Sequence, residues 1–309
     1  MSNIIVIAEQ PDYLQVFSDG STKRFDPPIV APSSKPKHGY RSKDVIIDPS
    51  KPISARIFLP HTPSSPALLP VLMYFHGGGF CIGSATWAGY HYFLGDLSAT
   101  SKCIVVSVDY RLAPENKLPI AYEDCFSSLQ WVSSQVDTES WLKQADLSRV
   151  FLSGDSAGGN IAHNVALLAM KSQVKIKIKG LLLIHPYFGS EKRTEKEMSE
   201  GAHGHVKSND MFWRLSLPIG STRDHWACNF EMGSAQIDWQ QFPAAVVYVA
   251  GLDFLKERGL MYADFLKKKK AQVMLVEEEN ESHVYHVFHP ESEATRLLRL
   301  QMAEFMIRF

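Results

Sequence analysis

The sequence predicts an α/β fold with a central, mostly parallel sheet flanked by helices, and three observations carry the prediction. Apolar runs of strand length recur at 70–75, 103–108, 150–152, 180–184, 242–250 and 271–276. Continuous runs of this kind suit strands buried on both faces, and the stretches of helical periodicity between them are what βα units require. Glycine-rich segments also stand at the ends of two runs, at Gly77-Gly78-Gly79 and at Gly154-Asp155-Ser156-Ala157-Gly158. With 309 residues and 45% hydrophobic content, a single domain over 1–309 with a small cap is expected.

Taken in order, Tyr13 to Phe17, Ser18-Asp19-Gly20 and Lys23-Arg24-Phe25 read as a short hairpin across a DG turn. Pro27, Pro28, Pro32 and Pro36 mark an extended connector, and residues 1 to about 35 are assigned to the cap. Val45-Ile46-Ile47 and the alternating Ile53 to Leu59 read as two strands. A loop from His61 to Leu69 then leads to the run at 70–75. A helix carrying Trp87, Tyr90, Phe93 and Leu94 follows, then the strand 103–108 and a helix from about Ala121 to Val136. After the strand 150–152, a helix near 160–168 and the strand 180–184, apolar periodicity fades from about 190 to about 238. There a charged stretch, Glu191 to Glu197, precedes Phe212, Trp213 and Trp226, a combination that suits the second part of a cap whose aromatics line a pocket. A helix near Glu257 to Lys268 separates the last two strands, and Ser292 caps a terminal helix bearing Leu298, Met302 and Phe305.

Charge is balanced, with 32 Lys and Arg against 33 Asp and Glu, so no field favours nucleic acid or an anionic membrane. Cys81, Cys103, Cys125 and Cys228 are widely spaced and read as reduced structural thiols. Ile4 to Ala8 is too short for a signal or a span and lacks a basic flank, so a cytoplasmic protein without membrane contact is expected. Asn280-Glu281-Ser282 is read as an incidental sequon.

The pattern G-x-S-x-G at 154–158 lies between a strand and a helix, the context of a nucleophile elbow. On composition alone such a pentapeptide arises on the order of 0.1 times in a chain of this length, so its context carries the weight. The turn leaves Ser156 at a helix N-terminus, whose free N–H groups favour developing negative charge. His76-Gly77-Gly78-Gly79-Phe80 follows a central strand and offers successive amides to one point, as an oxyanion hole requires. A serine hydroxyl also needs a base and a group to orient it. Asp253 follows the strand 242–250 and is the acid candidate; its competing reading is a helix N-cap. Glu257 and Asp264 fall on the outer face of the following helix. Among His283, His286 and His289, His283 is nearest the preceding strand end and is the base candidate, with His286 in reserve and His289 structural. Their spacing lacks the further ligands of a metal site. His76, His163 and His185 read as loop or core residues, with His76 able to hold the glycine loop.

Together these segments resemble the plant carboxylesterase family, in the hormone-sensitive-lipase-like group of α/β hydrolases. The resemblance rests on HGGGF at 76–80, DYRLAPE at 109–115, GDSAGGN at 154–160, RDH at 223–225, GLDFLKERG at 251–259 and HVYHVF at 283–288, and it spans nearly the whole chain. Tyr285 departs from the HVFH often found in the family. The resemblance implies an α/β-hydrolase fold, a triad of Ser156, Asp253 and His283, and an oxyanion hole at Gly77, Gly78, Gly79 and Ala157, with Gly77 shaping the loop and the other three donating. It implies hydrolysis of small carboxylic esters through a serine acyl-enzyme, with no cofactor and no metal. The family also holds a dehydratase and a hormone receptor, so a lyase or cyclase of specialised metabolites and a small-molecule receptor are the alternatives. Retention of both Ser156 and His283 favours hydrolysis.

Overall fold

The computed structural model describes residues 4–61, 67–172, 174, 176–233 and 237–309. Part of the expected loop at 61–69 and small parts of both expected cap segments lie outside the described residues. Three short strands, β1 (Val6–Gln10), β2 (Leu14–Phe17) and β3 (Thr22–Arg24), make a separate antiparallel sheet. The hairpin β2–β3 was legible in the sequence. β1 was not, because only Ala8 of its five residues is buried and no two-residue alternation results.

The chain continues through β4 (Tyr40–Asp48), β5 (Ile53–Pro60), β6 (Leu69–Phe75), α1 (Ala88–Ser101), β7 (Ile104–Asp109) and α2 (Ile120–Gln135). Next come β8 (Ala145–Asp155), α3 (Ala157–Lys171), β9 (Ile178–Ile184), and the helices α4 (Glu195–Met198) and α5 (His203–Ser216) of the segment expected to form a cap. β10 (Ala244–Ala250), α6 (Lys256–Lys268), β11 (Val273–Glu278), α7 (Tyr285–Phe288) and α8 (Glu293–Arg308) complete it. The strands β4 to β11 form one eight-stranded sheet in the order β11-β10-β9-β8-β6-β7-β5-β4. β5 runs antiparallel to both neighbours and the pairs from β7 to β11 are parallel, as the apolar runs implied.

From β6 the chain moves to β7 on one side and then returns through α2 to β8 on the other. Such a reversal opens a crevice at the strand C-termini, where α/β sheets hold ligands. Each face of the sheet is sealed by helices: Val71, Met73 and Phe75 of β6 join the core with α2 and α3, while Leu72 and Tyr74 join Leu94 and Met302 on the other face. Burying each large aliphatic side chain contributes about 1.5–3 kcal/mol. The terminal helix begins as expected, with Ser292 Oγ accepting from the Thr295 amide at 3.2 Å.

Helix α3 approaches β6 so closely at the elbow that a Cβ at Gly158 would stand 1.8 Å from the Phe75 carbonyl oxygen. Both atoms belong to rigid elements, so no side-chain rotation relieves the clash. Gly158→Ala is therefore expected to destabilise the fold by about 3 kcal/mol or more, at the upper end of overpacking costs, read from the urea midpoint of unfolding.

Candidate active site

Ser156 directly follows β8 and caps α3 with φ 52° and ψ −117°, a left-handed backbone that a non-glycine residue adopts only when its surroundings impose it. The surroundings are visible: the Ser156 N–H donates to the Ile184 carbonyl at 2.9 Å, and its own carbonyl accepts from Gly159 and Tyr187 at 3.0 and 2.9 Å. The side chain is thereby turned into a cavity of about 400 Å³, lined also by Gly78, Gly79, Asp253 and His283.

The glycine loop after β6 supplies the facing wall. Gly78 has φ +102°, and a Cβ there would lie 2.2 Å from the Ile82 carbonyl oxygen, so only glycine fits. The amides of Gly78, Gly79 and Ala157 donate to no carbonyl or side chain among the described residues. Gly77, grouped with the oxyanion hole as the residue that shapes the loop, is not one of its donors. Its N–H is engaged by the Tyr90 hydroxyl at 2.9 Å and by Asp155 Oδ1 at 3.1 Å, so it anchors the loop and offers no donor to the cavity. His76 holds the loop as expected, with its Nδ1 against the Gly77 carbonyl at 2.8 Å and its ring stacked on Tyr110.

Asp253 follows β10, and its Oδ2 lies 2.8 Å from His283 Nδ1. Its Oδ1 accepts from the Leu255 amide at 2.7 Å, so Asp253 orients the imidazole and braces the turn before α6; the N-cap of α6 is Leu255, and the competing N-cap reading does not hold. Burial presses the His283 pKa down, but the facing Asp253 carboxylate outweighs it and leaves the ring above the ordinary histidine value. Burial likewise lifts Asp253, and the His283 charge and hydrogen bond reverse this to leave it below the usual carboxylate range. With Nδ1 bound to Asp253, Nε2 is left for the cavity, onto which a third of the His283 side chain opens. Ser156 Oγ makes no hydrogen bond among the described residues. Catalytic hydrogen bonds are often long without substrate and tighten in the complex.

The reserve base, His286, is sealed inside the core: its ring packs on Phe93 with centroids 4.5 Å apart and its Nε2 lies 3.3 Å from the Tyr74 hydroxyl. Its pKa falls well below the ordinary value because of burial, and it does not line the cavity. His289 ends α7 and is held by backbone bonds, as expected. His163 is a core residue bonded to the Tyr262 hydroxyl. Asp264 is exposed beside Lys268, whereas Glu257 is half-buried and accepts the Lys196 amide, tying the cap to α6. Of the cap aromatics, Phe212 lines the cavity, Trp213 is core stacked on Tyr187, and Trp226 faces a separate pocket behind α3.

Two supporting residues escaped the sequence reading. Asp155 is fully buried beside Ser156 and accepts from Tyr74 at 2.8 Å, Tyr90 at 3.0 Å and Gly77. Burial raises its carboxyl to about 6 even against these donors. A lone acidic residue closing an apolar strand was the available signal. His185 directly follows β9, at a strand C-terminus where α/β sites gather. Its Nδ1 accepts from the Val284 amide at 2.9 Å. Val284, directly after His283, has φ 49°, a genuine outlier for a β-branched residue. This bond therefore fixes the strained loop that carries His283. His185, Asp253 and His283 bring ligand-type atoms within 4.8 Å of one another, yet the Val284 N–H at Nδ1 keeps the His185 proton on Nε2, and neither nitrogen is then a free metal ligand.

A strained serine elbow, an Asp–His pair and unengaged glycine amides on one sheet rim define an α/β hydrolase of the serine type. The chain belongs to the α/β-hydrolase fold family, whose profile matches residues 72–287, and within it to the plant carboxylesterases of the hormone-sensitive-lipase-like group. It is 42% identical to the Arabidopsis thaliana protein named "Probable carboxylesterase 6" over 84% of this chain and 79% of that one. It is 34% identical to the 2-hydroxyisoflavanone dehydratase of Glycyrrhiza echinata over 97% and 95% of the two chains. An esterase structure from Pyrobaculum calidifontis superposes with a TM-score of 0.74 at 29% identity, covering 86% of this chain and 84% of that one.

Replacing His185 by Phe leaves the part-buried Val284 amide without an acceptor, and a loss of about 1–3 kcal/mol is expected in urea unfolding. His185→Asn keeps an acceptor and tolerates positive φ, so it should recover part of that loss. Equal losses in the two variants would remove the hydrogen bond as the cause.

Proposed function

We propose that the protein is a serine carboxylesterase acting on small carboxylic esters, with Ser156 as nucleophile, His283 as base and Asp253 as its orienting group. The observation that carries the reading is the 2.8 Å Asp253–His283 pair opening on the same cavity as Ser156. Ser156 Oγ bonds to the ester carbonyl carbon while His283 Nε2 takes the hydroxyl proton. The tetrahedral oxyanion meets the amides of Gly78, Gly79 and Ala157. Each such donor is worth about 3–4 kcal/mol when preorganised in a water-poor site. Collapse expels the alcohol, which receives the proton from His283 and leaves an acyl-enzyme. Water then attacks, gives its proton to His283, and releases the acid as Ser156 is reprotonated. Every step uses this chain's own groups.

The segments 1–35 and 190–238 act as one cap, since Tyr13 and Gln10 from the first and Phe212 from the second share the cavity wall. Among the described residues no helix is long and apolar enough to cross a membrane. Four buried free cysteines fit a reducing, cytoplasmic setting. The dehydratase relative supports a second reading, in which His283 removes a proton for elimination with no acyl-enzyme.

Ser156→Ala is expected to lower turnover of 4-nitrophenyl butyrate on the order of 10⁶-fold if the three groups act as a unit. A fluorophosphonate should label Ser156 in the native chain, and retained turnover by the alanine variant would exclude the serine mechanism.

The base must be neutral, and Asp253 holds the His283 pKa above its ordinary value of about 6.5. kcat/KM is therefore lost as pH falls, with a midpoint above that value. Asp253→Asn removes the charge that raises it, so the midpoint should move down while kcat drops on the order of 10⁴-fold. A pH profile with an unmoved midpoint would separate His283 from the titration.

A further inference from the structure

We infer that the ester this site takes carries a hydroxyl group a few bonds from its carbonyl, an inference that rests on the esterase reading. The wall that α5 turns to the cavity consists of His205, Ser208, Asn209 and Phe212. Their i, i+3, i+4, i+7 spacing makes them one helical face. A cap helix lying over a plain hydrocarbon chain would set aliphatic residues along that face. Here three of the four side chains carry hydrogen-bonding groups, and only Phe212 is apolar.

Phe212 fixes where this wall stands relative to the chemistry, because its ring lies 2.6 Å from where a Cβ on Gly79 would be, against the glycine loop. Ser208 and Asn209 precede it by three to four residues, roughly 5 Å along the axis at about 1.5 Å per residue. A group meeting them is several bonds from a carbonyl held at Gly78 and Gly79. Asn209 is 7% exposed, and its backbone carbonyl accepts from the Tyr187 hydroxyl at 3.0 Å. Its side chain makes no hydrogen bond among the described residues, and Oδ1 is closed to water without a partner. A buried amide left in this state is destabilising and calls for a reason.

Ser208 Oγ donates to Gln10 Oε1 at 2.6 Å, which leaves the Ser208 lone pairs to accept from a ligand and the Gln10 amide nitrogen to donate. A hydroxyl both donates and accepts, so it pairs with whichever atom of the Asn209 amide faces the cavity, in either of its two orientations. A methylene satisfies neither. No lysine or arginine lines the cavity among the described residues, so no permanent cation there balances a carboxylate in the same place. A neutral hydroxyl is the group that fits.

The hydroxyl can sit on the acyl or the alcohol side, and two substrate pairs distinguish these. In the acyl arm, kcat/KM for 4-nitrophenyl 3-hydroxybutyrate is compared with that for 4-nitrophenyl butyrate. In the alcohol arm, glycerol 1-monobutyrate is compared with propyl butyrate. The native chain should favour the hydroxylated member of at least one pair by about tenfold or more, since a site built to bond a hydroxyl rejects the analogue lacking it. Asn209→Leu should bring that ratio to about one. Ratios at or below one in both arms overturn the inference, and so does a preference that survives Asn209→Leu. The native ratios decide even where the variant does not fold. Absence of any ester turnover overturns the esterase reading and this inference with it, whereas turnover without preference overturns this inference alone.

Discussion

One buried carboxylate holds the two halves of the site in register. Asp155 is the last residue of β8, and its oxygens receive hydroxyls from Tyr74 on β6 and Tyr90 on α1 together with the Gly77 amide from the glycine loop. The nucleophile turn and the loop bearing the candidate oxyanion donors are thus bonded to the same side chain. Burial makes an ionised carboxyl expensive, and three donors offset that cost. Because the same donors cannot be satisfied by an apolar residue, the network specifies one arrangement of loop and turn, which preorganised electrostatic stabilisation needs.

Around this anchor the strained positions are each over-determined. Ser156 is held in its left-handed conformation by bonds from β9, α3 and the segment after β9. Val284 is held by His185, whose own backbone at φ 46° is tied to Tyr248 of β10 through a 2.9 Å bond. Strain of about 1–3 kcal/mol at such positions persists only where neighbours outvote local preference. In this fold the neighbours are the C-terminal ends of parallel strands, the most rigid backbone available. The serine, the imidazole and the carboxylate are therefore carried by short turns on a stiff frame, which limits how far they can drift from one another.

Much of this was legible in the sequence, and the reasons differ by element. The strands of the large sheet announced themselves because burial on both faces demands unbroken apolar runs, and the elbow because its glycines are sterically forced. Asp253 and His283 followed from strand ends and chain order. β1 escaped because a cap strand buries little. α7 escaped because its single turn, Tyr285–Phe288, is set by packing against α1 and not by its own periodicity. Gly77 was grouped with its neighbours because a sequence shows three like glycines, while the hydrogen bond that removes one amide from the cavity comes from Tyr90, thirteen residues away. His185 was read as core for the same reason: its partner, Val284, is distant in sequence.

The cap follows a different logic from the frame beneath it. Its first segment is fastened by Arg24, which donates to the Cys81 carbonyl at 2.7 Å, the Ala113 carbonyl at 2.8 Å and the Glu115 carboxylate. Its second is fastened by the buried Arg258–Glu197 pair, while Arg223 bridging Glu191 and Asp210 holds the segment's own parts together. These are directional polar contacts at the edges, whereas the sheet is held by area. Ion pairs that are partly exposed contribute little stability, but a bidentate guanidinium fixes orientation well. The cap is thus oriented more than it is glued, and the two segments meet across the cavity chiefly where Ser208 reaches Gln10. The attachments cheapest to alter are then these edge contacts, while the strained elbow, the Asp–His pair and the glycine loop stay locked to the sheet.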